Sequence, residues 1–405
     1  MSGSPAPTSG EVTGDDAVAR DANVSLALLG RDRSPFLPTT FWHWDADAAA
    51  DVLVDRDRDP RTWNAIAAGD GFVVTQWNDG TTDGPGRERV PTCSCSMPTT
   101  VHSMLDALEV GSGMRVLEIG TGTGYTAALL KDRVGPSGTV VSVEIDEYLA
   151  TRARANLAGV GVGVDVITAD GLADHSIGGP FDRVHVTCGI RVVPATWIER
   201  TVPGGRIVMP WGTHFAPSHD LLLTLTAGVD GTASGRFEDG LSYMKARGQR
   251  TAWPQAPEKW WEHQDATHST SAVPGAWVEG ALTGFGAPVL GLLLPNTVKT
   301  VEDRPYDDDD DDAAAADRTT TLSLYRSGPT GLSCARVLYG TTADTTTTAW
   351  GPDDLAAEFL AALRWWRRHG RPEAEGFGLA VLANDGRSTQ RVWFGEPNET
   401  PSWSL

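Results

Sequence analysis

The sequence predicts an α/β fold centred on a parallel sheet, preceded by an N-terminal cap and followed by an additional α+β region. Three observations predict it. Between Met114 and Trp211 short β-rich runs alternate with helical stretches, which is the pattern of a parallel sheet crossed by helices. One run, Val116 to Ile119, leads directly into Gly120-Thr121-Gly122-Thr123-Gly124 and then into a helix. Two later runs end beside acidic residues, Glu144 and Asp170, which places them with the glycine turn at the carboxyl edge of the sheet.

The elements follow in order. Residues 1–34 are expected to form a disordered tail: Met1 to Ala22 mixes Ser, Gly, Pro, Asp and Glu, with neither the basic nor the apolar region of a secretory signal. Residues 35–100 read as a cap carrying Trp42, Trp44, Trp63 and Trp77, with a strand-like run over Phe72 to Trp77. Within the core, 101–235, strands are expected at Arg115 to Ile119, Thr139 to Val143, Val164 to Thr168, Arg183 to Val186 and Arg206 to Met209. Helices are expected at Val101 to Leu108, Tyr125 to Val134, Asp146 to Leu157 and Pro194 to Thr201. Beyond Gly212 the pattern weakens, and 236–405 is read as an additional α+β extension. It contains strands over Thr321 to Tyr325 and Ala335 to Tyr339 and a helix from about Pro352 to Gly370, with Asp353 and Asp354 in its first turn. The run Asp307 to Asp312 followed by four alanines is too polar to fold on its own, so 303–318 is read as a disordered acidic loop.

Composition narrows the function. The chain has 405 residues, 40% of them hydrophobic, and a net charge of −20 from 53 acidic against 33 basic side chains. That field repels phosphate backbones and anionic lipids, so neither nucleic acid nor a membrane is an expected partner. No stretch approaches the ~20 apolar residues of a span; Phe285 to Leu294 is short and broken by Gly286, Pro288 and Gly291. Four cysteines without a CxxC pair give no disulfide framework or metal site, and a reducing cytoplasm is expected. Cys93 and Cys95 are read as small polar or semi-buried thiols and His185 as a core or sheet-face histidine, while His214 and His219 lie near the expected rim of the site.

The glycine turn carries the chemistry. Glycines at 120, 122 and 124 let the backbone lie against a flat or anionic ligand, beside the free N–H groups that open the next helix. A dinucleotide fingerprint would require glycine where Tyr125 stands. An acidic residue at the end of the next strand, Glu144, can accept both ribose hydroxyls, and Asp170 can meet an adenine amino group. Together they describe an adenosine site.

At this point the chain resembles class I S-adenosylmethionine-dependent methyltransferases, which are Rossmann-like, and within them the protein L-isoaspartate O-methyltransferase family. The resemblance spans roughly Val90 to Gly212. It rests on Gly120 to Tyr125, on Ala169-Asp170-Gly171, on Phe181-Asp182-Arg183-Val184-His185-Val186-Thr187-Cys188 leading to Pro194, and on Pro203-Gly204-Gly205-Arg206 through Pro210 and Gly212. It implies that S-adenosylmethionine, and the product S-adenosylhomocysteine, are held by Glu118, Gly120, Thr121, Gly122, Gly124, Tyr125, Glu144, Asp170, Gly171 and Thr187.

The family's substrate motif falls on Cys95-Ser96-Met97-Pro98. The resemblance makes Ser96 the catalytic hydroxyl, with Ser94 and Thr99 as further substrate contacts. Thr92 to Ser96 is a run of small hydroxyl and thiol side chains, where family members carry larger apolar ones. That run and the long C-terminal extension resemble a divergent branch associated with ribosomally made peptides such as graspetides and lanthipeptides. The resemblance then implies methylation of an aspartyl carboxylate in a cyclised precursor peptide, giving an ester that closes to an aspartimide or opens to isoaspartate. The alternative is the stand-alone isoaspartyl repair enzyme. The extension is read either as the peptide-recognition unit or as a second core or homodimer interface.

Overall fold

A computed structural model describes residues 31–46, 48–87, 89–173, 177–283, 286–303, 319–340, 344–397 and 402–404. Most of the expected N-terminal tail and nearly all of the expected acidic loop lie outside the described residues.

The N-terminal cap contains an antiparallel hairpin, β1 (Thr40–Asp45) and β2 (Ala50–Asp55), then helix α1 (Pro60–Ala68) and the pair β3 (Val73–Trp77) and β4 (Pro91–Cys95). Asp59 caps α1 by accepting the Thr62 N–H at 3.0 Å, and Pro60 occupies the first turn, where no N–H is needed. Helix α2 (Pro98–Leu108) begins three residues before the expected start. Pro98 opens it, and Asp70 accepts the Thr99 N–H at 2.9 Å.

The core continues as β5 (Arg115–Ile119), α3 (Tyr125–Val134), β6 (Thr139–Glu144), α4 (Glu147–Gly159), β7 (Asp165–Thr168), β8 (Phe181–Val186), α5 (Ala195–Glu199) and β9 (Thr201–Gly212). All five predicted strands and all four predicted helices of this stretch are present. Strands β9, β8, β5, β6 and β7 lie side by side and parallel, so the chain crosses from β6–β7 to β8–β9 on either side of β5. That reversal opens a crevice at the carboxyl ends of β5 and β8.

Beyond Gly212 the structure corrects the reading of weak order. Strands β10 (Asp220–Ala227) and β11 (Thr232–Leu241) continue the same sheet antiparallel to β9, and this pairing extends β9 well past the expected Arg206 to Met209. The expected boundary at 235/236 falls inside β11. The chain then leaves the core sheet for β12 (Thr267–Pro274), α6 (Gly275–Leu282), α7 (Gly286–Leu293), β13 (Val298–Asp303), β14 (Thr320–Gly328), β15 (Gly331–Tyr339), β16 (Asp344–Trp350) and α8 (Leu355–Arg368). These strands form an antiparallel five-stranded sheet in the order β12-β16-β15-β14-β13. Asp354 caps α8 rather than lying inside its first turn, accepting the Ala357 N–H at 2.9 Å.

The chain finally returns to the core. Strand β17 (Phe377–Asn384) pairs with β11, and β18 (Arg387–Phe394) and β19 (Ser402–Ser404) complete a ten-stranded sheet. The additional C-terminal region thus forms a second sheet of its own and also completes the first. One apolar core joins both sheets, running from Leu117 and Val184 through Trp211 and Phe215 to Leu324 and Phe359. A second core lies under the N-terminal cap and contains Trp63, Leu105, Tyr125 and Leu130. No single helix among the described residues is long and apolar enough to cross a membrane; α6 and α7 meet at 99°.

Candidate active site

The turn after β5 is shaped by its glycines. Gly120 and Gly122 have φ of 93° and 54°. A Cβ on Gly120 would stand 2.5 Å from the Thr187 hydroxyl, so only glycine fits there. Thr187 ends the neighbouring β8 run and bonds the Ile119 carbonyl at 3.0 Å, which ties the two strand ends together beneath the turn.

Glu144 closes β6 and is 6% exposed. One carboxylate oxygen accepts the Gly122 N–H at 2.9 Å and the other accepts the Asp146 N–H at 3.0 Å. Burial raises its proton affinity, and the two N–H donors oppose that rise. Each oxygen keeps lone-pair capacity for a further donor. Asp170 is exposed at the end of β7, accepting the Leu172 N–H at 3.0 Å, and the adjacent Gly171 carbonyl is held by the Trp197 indole at 2.8 Å. The glycine turn, Glu144, Asp170, Gly171 and Thr187 thus come together at one sheet edge.

Other expected ligand residues are placed differently. Glu118 is fully buried below the turn, where it accepts the Ser142 hydroxyl at 2.5 Å, and Ser142 also meets Thr121 at 2.5 Å. Burial pushes the Glu118 carboxyl up to about 8, with Ser142 opposing the shift, so it supports the turn as a largely protonated group. Tyr125 packs edge-on against Phe36 at 5.6 Å and its phenol donates to the Arg31 carbonyl, so it serves the cap interface.

The Ser94–Ser96 segment lies over the turn. A Cβ at Gly122 would meet Cys93 Sγ at 3.4 Å and the Ser94 carbonyl at 3.8 Å. Cys93 and Cys95 are buried, and burial pushes their thiols up to about 12 and 11, so both stay protonated. The half-buried Ser96 lies beside Tyr243, whose phenol burial pushes up to about 12, with Ser96 opposing the shift. The Thr99 hydroxyl donates to Asp70 at 2.6 Å and so fastens the start of α2.

Several residues of the site escaped the sequence. Arg33, inside the expected tail, is 3% exposed and donates to the carbonyls of Ile66, Ala67, Gly69, Gly71 and Ser96. It joins the end of α1 to the serine segment. Residues 242–250 form a strap across the strand ends: Met244 accepts from Gly189, Lys245 pairs with Asp220, and Arg247 reaches Asp146 at 2.7 Å and Asp79 at 3.0 Å. Arg250 holds the same Asp79 through two bonds, 2.6 and 2.8 Å. The one sequence signal was the density of basic residues in Lys245-Ala246-Arg247-Gly248-Gln249-Arg250, whose acidic partners lie far away in the chain.

Residues 89–232 match the family model of protein-L-isoaspartate(D-aspartate) O-methyltransferase. The matched segment holds the turn, Glu144, Asp170, Thr187 and the serine segment, and its fold is that of class I methyltransferases. It is 42% identical over 118 residues to protein-L-isoaspartate O-methyltransferase 2 of Archaeoglobus fulgidus, covering 29% of this chain and 54% of that protein. It is 33% identical over 171 residues to the Aeropyrum pernix protein-L-isoaspartate O-methyltransferase, covering 41% and 65%. The chain thus spans only part of the length of these relatives. Among solved structures, a protein-L-isoaspartate O-methyltransferase aligns with a TM-score of 0.46 at 21% identity over 81% of this chain and 87% of the other. A protein described as a putative protein-L-isoaspartate O-methyltransferase from Plasmodium falciparum, in complex with S-adenosyl-L-homocysteine, aligns at 0.38 and 15% over 47% and 85%.

Proposed function

We propose that the chain is an S-adenosylmethionine-dependent O-methyltransferase that esterifies the free carboxylate of isoaspartyl residues in peptides. The observation that carries this reading is the cradle of Gly120, Gly122 and Glu144 lying directly under Ser94–Ser96, within the segment that matches the family. The cradle suits the cofactor. Its glycines let the turn close against Thr187 and the serine segment with N–H groups at the strand end, and the oriented Glu144 oxygens suit ribose hydroxyls, with exposed Asp170 beside them for the adenine.

The bound cofactor supplies a methyl group already activated on a sulfonium. The carboxylate oxygen that takes it is ionised near pH 7, so no general base is needed. What remains for the protein is alignment and exclusion of water. Ser96 holds one carboxylate oxygen while the other faces the methyl, and Tyr243 keeps the Ser96 side chain in place. Neutral donors suit this task, because the carboxylate loses its charge as the ester forms and a tight cationic clamp would favour the ground state. The ester is then an acyl electrophile for the next backbone nitrogen, which displaces methanol and closes a succinimide.

The names of the matched relatives support the isoaspartyl substrate ahead of the aspartyl side chain of a cyclised ribosomal peptide. The second reading retains one observation in its favour: Tyr243 and the strap, which complete the site, lie outside the matched segment. Radiolabelled methyl transfer to an isoaspartyl peptide, to its aspartyl isomer and to a cyclised aspartyl peptide separates the readings. Base-labile label is expected in the isoaspartyl peptide and not in its isomer. Label only in the cyclised peptide would replace the first reading with the second, and label in none would sink both.

A further inference from the structure

We propose that Arg191 and Lys299, grouped around the buried Asp220–Lys245 pair, form a subsite for a second, non-reacting carboxylate of the peptide substrate; the inference rests on the carboxyl-methyltransferase reading above. The group lies at the same carboxyl edge of the sheet as the candidate site. Arg191 follows β8, Asp220 opens β10, Lys245 belongs to the strap, and Lys299 comes from β13 of the second sheet. The run after β8 links the two places: Thr187 bonds the Ile119 carbonyl beneath the glycine turn, and Gly189, two residues on, donates to Met244 of the strap and packs on the Asp220–Lys245 pair. Lys245 is two residues from Tyr243, which lies beside Ser96.

The group carries more positive charge than it neutralises. Asp220 is fully buried, is matched by Lys245 and also accepts the Tyr243 N–H at 3.1 Å. Gly189 packs against this pair so closely that a Cβ there would fall 2.8 Å from Lys245 Nζ. Arg191 is 6% exposed, donates through one terminal nitrogen to the Gln249 carbonyl, and leaves its buried Nε without an acceptor. Lys299 lies over the Phe215 ring at 5.5 Å. Among the described residues neither Arg191 nor Lys299 makes an ion pair.

His214 and His219, from the loop between β9 and β10, stay neutral because burial lowers their proton affinity, His214 to about 4. They therefore add hydrogen-bonding capacity without charge. Burial likewise lowers the proton affinity of Arg191, Lys245 and Lys299. Arg191 shares the single Asp220 carboxylate with Lys245, and half-buried Lys299 has no ion pair, so three cations stand against one carboxylate, an excess that an anion would balance.

A carboxylate on the substrate fits that requirement better than the reacting group would. The reacting carboxylate loses its charge during transfer, whereas a neighbouring acidic side chain keeps its charge from ground state to product. Cations placed on the spectator group therefore add affinity without opposing the transfer. On a chain of net charge −20, the general field disfavours an acidic peptide, so recognising one needs local cations such as these.

The test is calorimetry on the full chain with S-adenosylhomocysteine present, using three synthetic isoaspartyl peptides: one with neutral flanks, one with glutamate on the N-terminal side and one with glutamate on the C-terminal side. One acid-flanked peptide is expected to bind about tenfold tighter than the neutral one, the scale of a charge-assisted hydrogen bond, and the ratio should shrink as salt is raised. Arg191→Gln and Lys299→Gln should each bring the ratio towards one. Lys299→Glu, on a half-buried strand position, should shift preference to a lysine-flanked peptide and decides the matter if the Arg191 variant does not fold. Equal binding of acidic and neutral peptides by the unaltered protein, or a preference that survives both lysine variants, would overturn the subsite. Methylation assayed on the same samples reports separately on the activity: tight acid-dependent binding without label would leave the subsite standing and remove the isoaspartyl reaction.

Discussion

Glu144 holds the Gly122 and Asp146 N–H groups, and on the proposed reading it binds the ribose, so Glu144→Ala would remove that cofactor contact and leave two donors unmet. Hydrogen bonds to a charged group contribute about 1.5–3 kcal/mol, so S-adenosylhomocysteine should bind roughly ten- to a hundredfold more weakly by calorimetry; unchanged affinity would remove Glu144 from the site. On the proposed reading Ser96→Ala should lower kcat about tenfold with cofactor affinity unchanged, and Tyr243→Phe should act in the same direction, the two effects coupling because the side chains are neighbours. Glu118 gives a pH signature. Its folded-state pKa of about 8 lies above its ordinary 4.5, so the stability it contributes is present in full below 4.5 and is lost as pH rises through 8. His185, pushed down to about 3 by burial, works in the opposite sense but only below its ordinary 6.5. Between pH 6.5 and 8, therefore, chemical denaturation should show falling stability, and Glu118→Gln should flatten that slope.

At the scale of elements, the serine segment is held in place by side chains that carry no catalytic chemistry. Arg33 binds five carbonyls, on α1, on the turn after it and on Ser96. Arg33→Met would bury those carbonyls without donors and should cost about 3 kcal/mol or more of stability, with kcat falling in the protein that remains folded. Denaturant titration alongside initial rates checks both effects; a stable, fully active variant would show that the clamp is dispensable. The strap depends on Arg247, which bridges Asp79 in the cap to Asp146 after β6. Gln249 adds to this by accepting the Arg191 and Val192 N–H groups at 2.7 and 2.9 Å. From the other side, Gln390 on β18 accepts the Val193 N–H at 2.8 Å, so the loop after β8 is gripped by two segments remote in sequence.

Across the whole molecule, the return of β17–β19 to the core sheet decides what can be removed. Cutting after Gly376 would bare the edge of β11 and release Gln390 from the loop beside the site. The shortened chain is expected to aggregate or to lose cofactor binding, measurable by size-exclusion chromatography and calorimetry. A monomeric fragment that binds S-adenosylhomocysteine normally would contradict this. The five-stranded sheet and α8 sit between β11 and β17 in the chain and share the main core through contacts such as Phe215 against Phe359 at 6.3 Å. They are an insertion into the sheet's connectivity, not an appendage.

The sequence alone determined the parallel half of the fold, the glycine turn, and the positions of Glu144, Asp170 and Thr187. Those features are local: a turn needs glycine where φ is positive, and each acidic residue stands a short distance from the strand that presents it. The motif around Ser96 pointed to that serine, but nothing in the sequence pointed to the neighbouring Tyr243. Tyr243, Arg33, the strap and the pairing of β11 with β17 depend on contacts between residues far apart in the chain, for which no spacing rule exists. The same reason hides the partners of Thr99 and Tyr125: Asp70 and Phe36, brought in by the cap, meet their side chains. Tertiary structure alone decided which groups were free to meet a ligand, because a hydroxyl or carboxylate becomes available only after every buried neighbour has found its own partner.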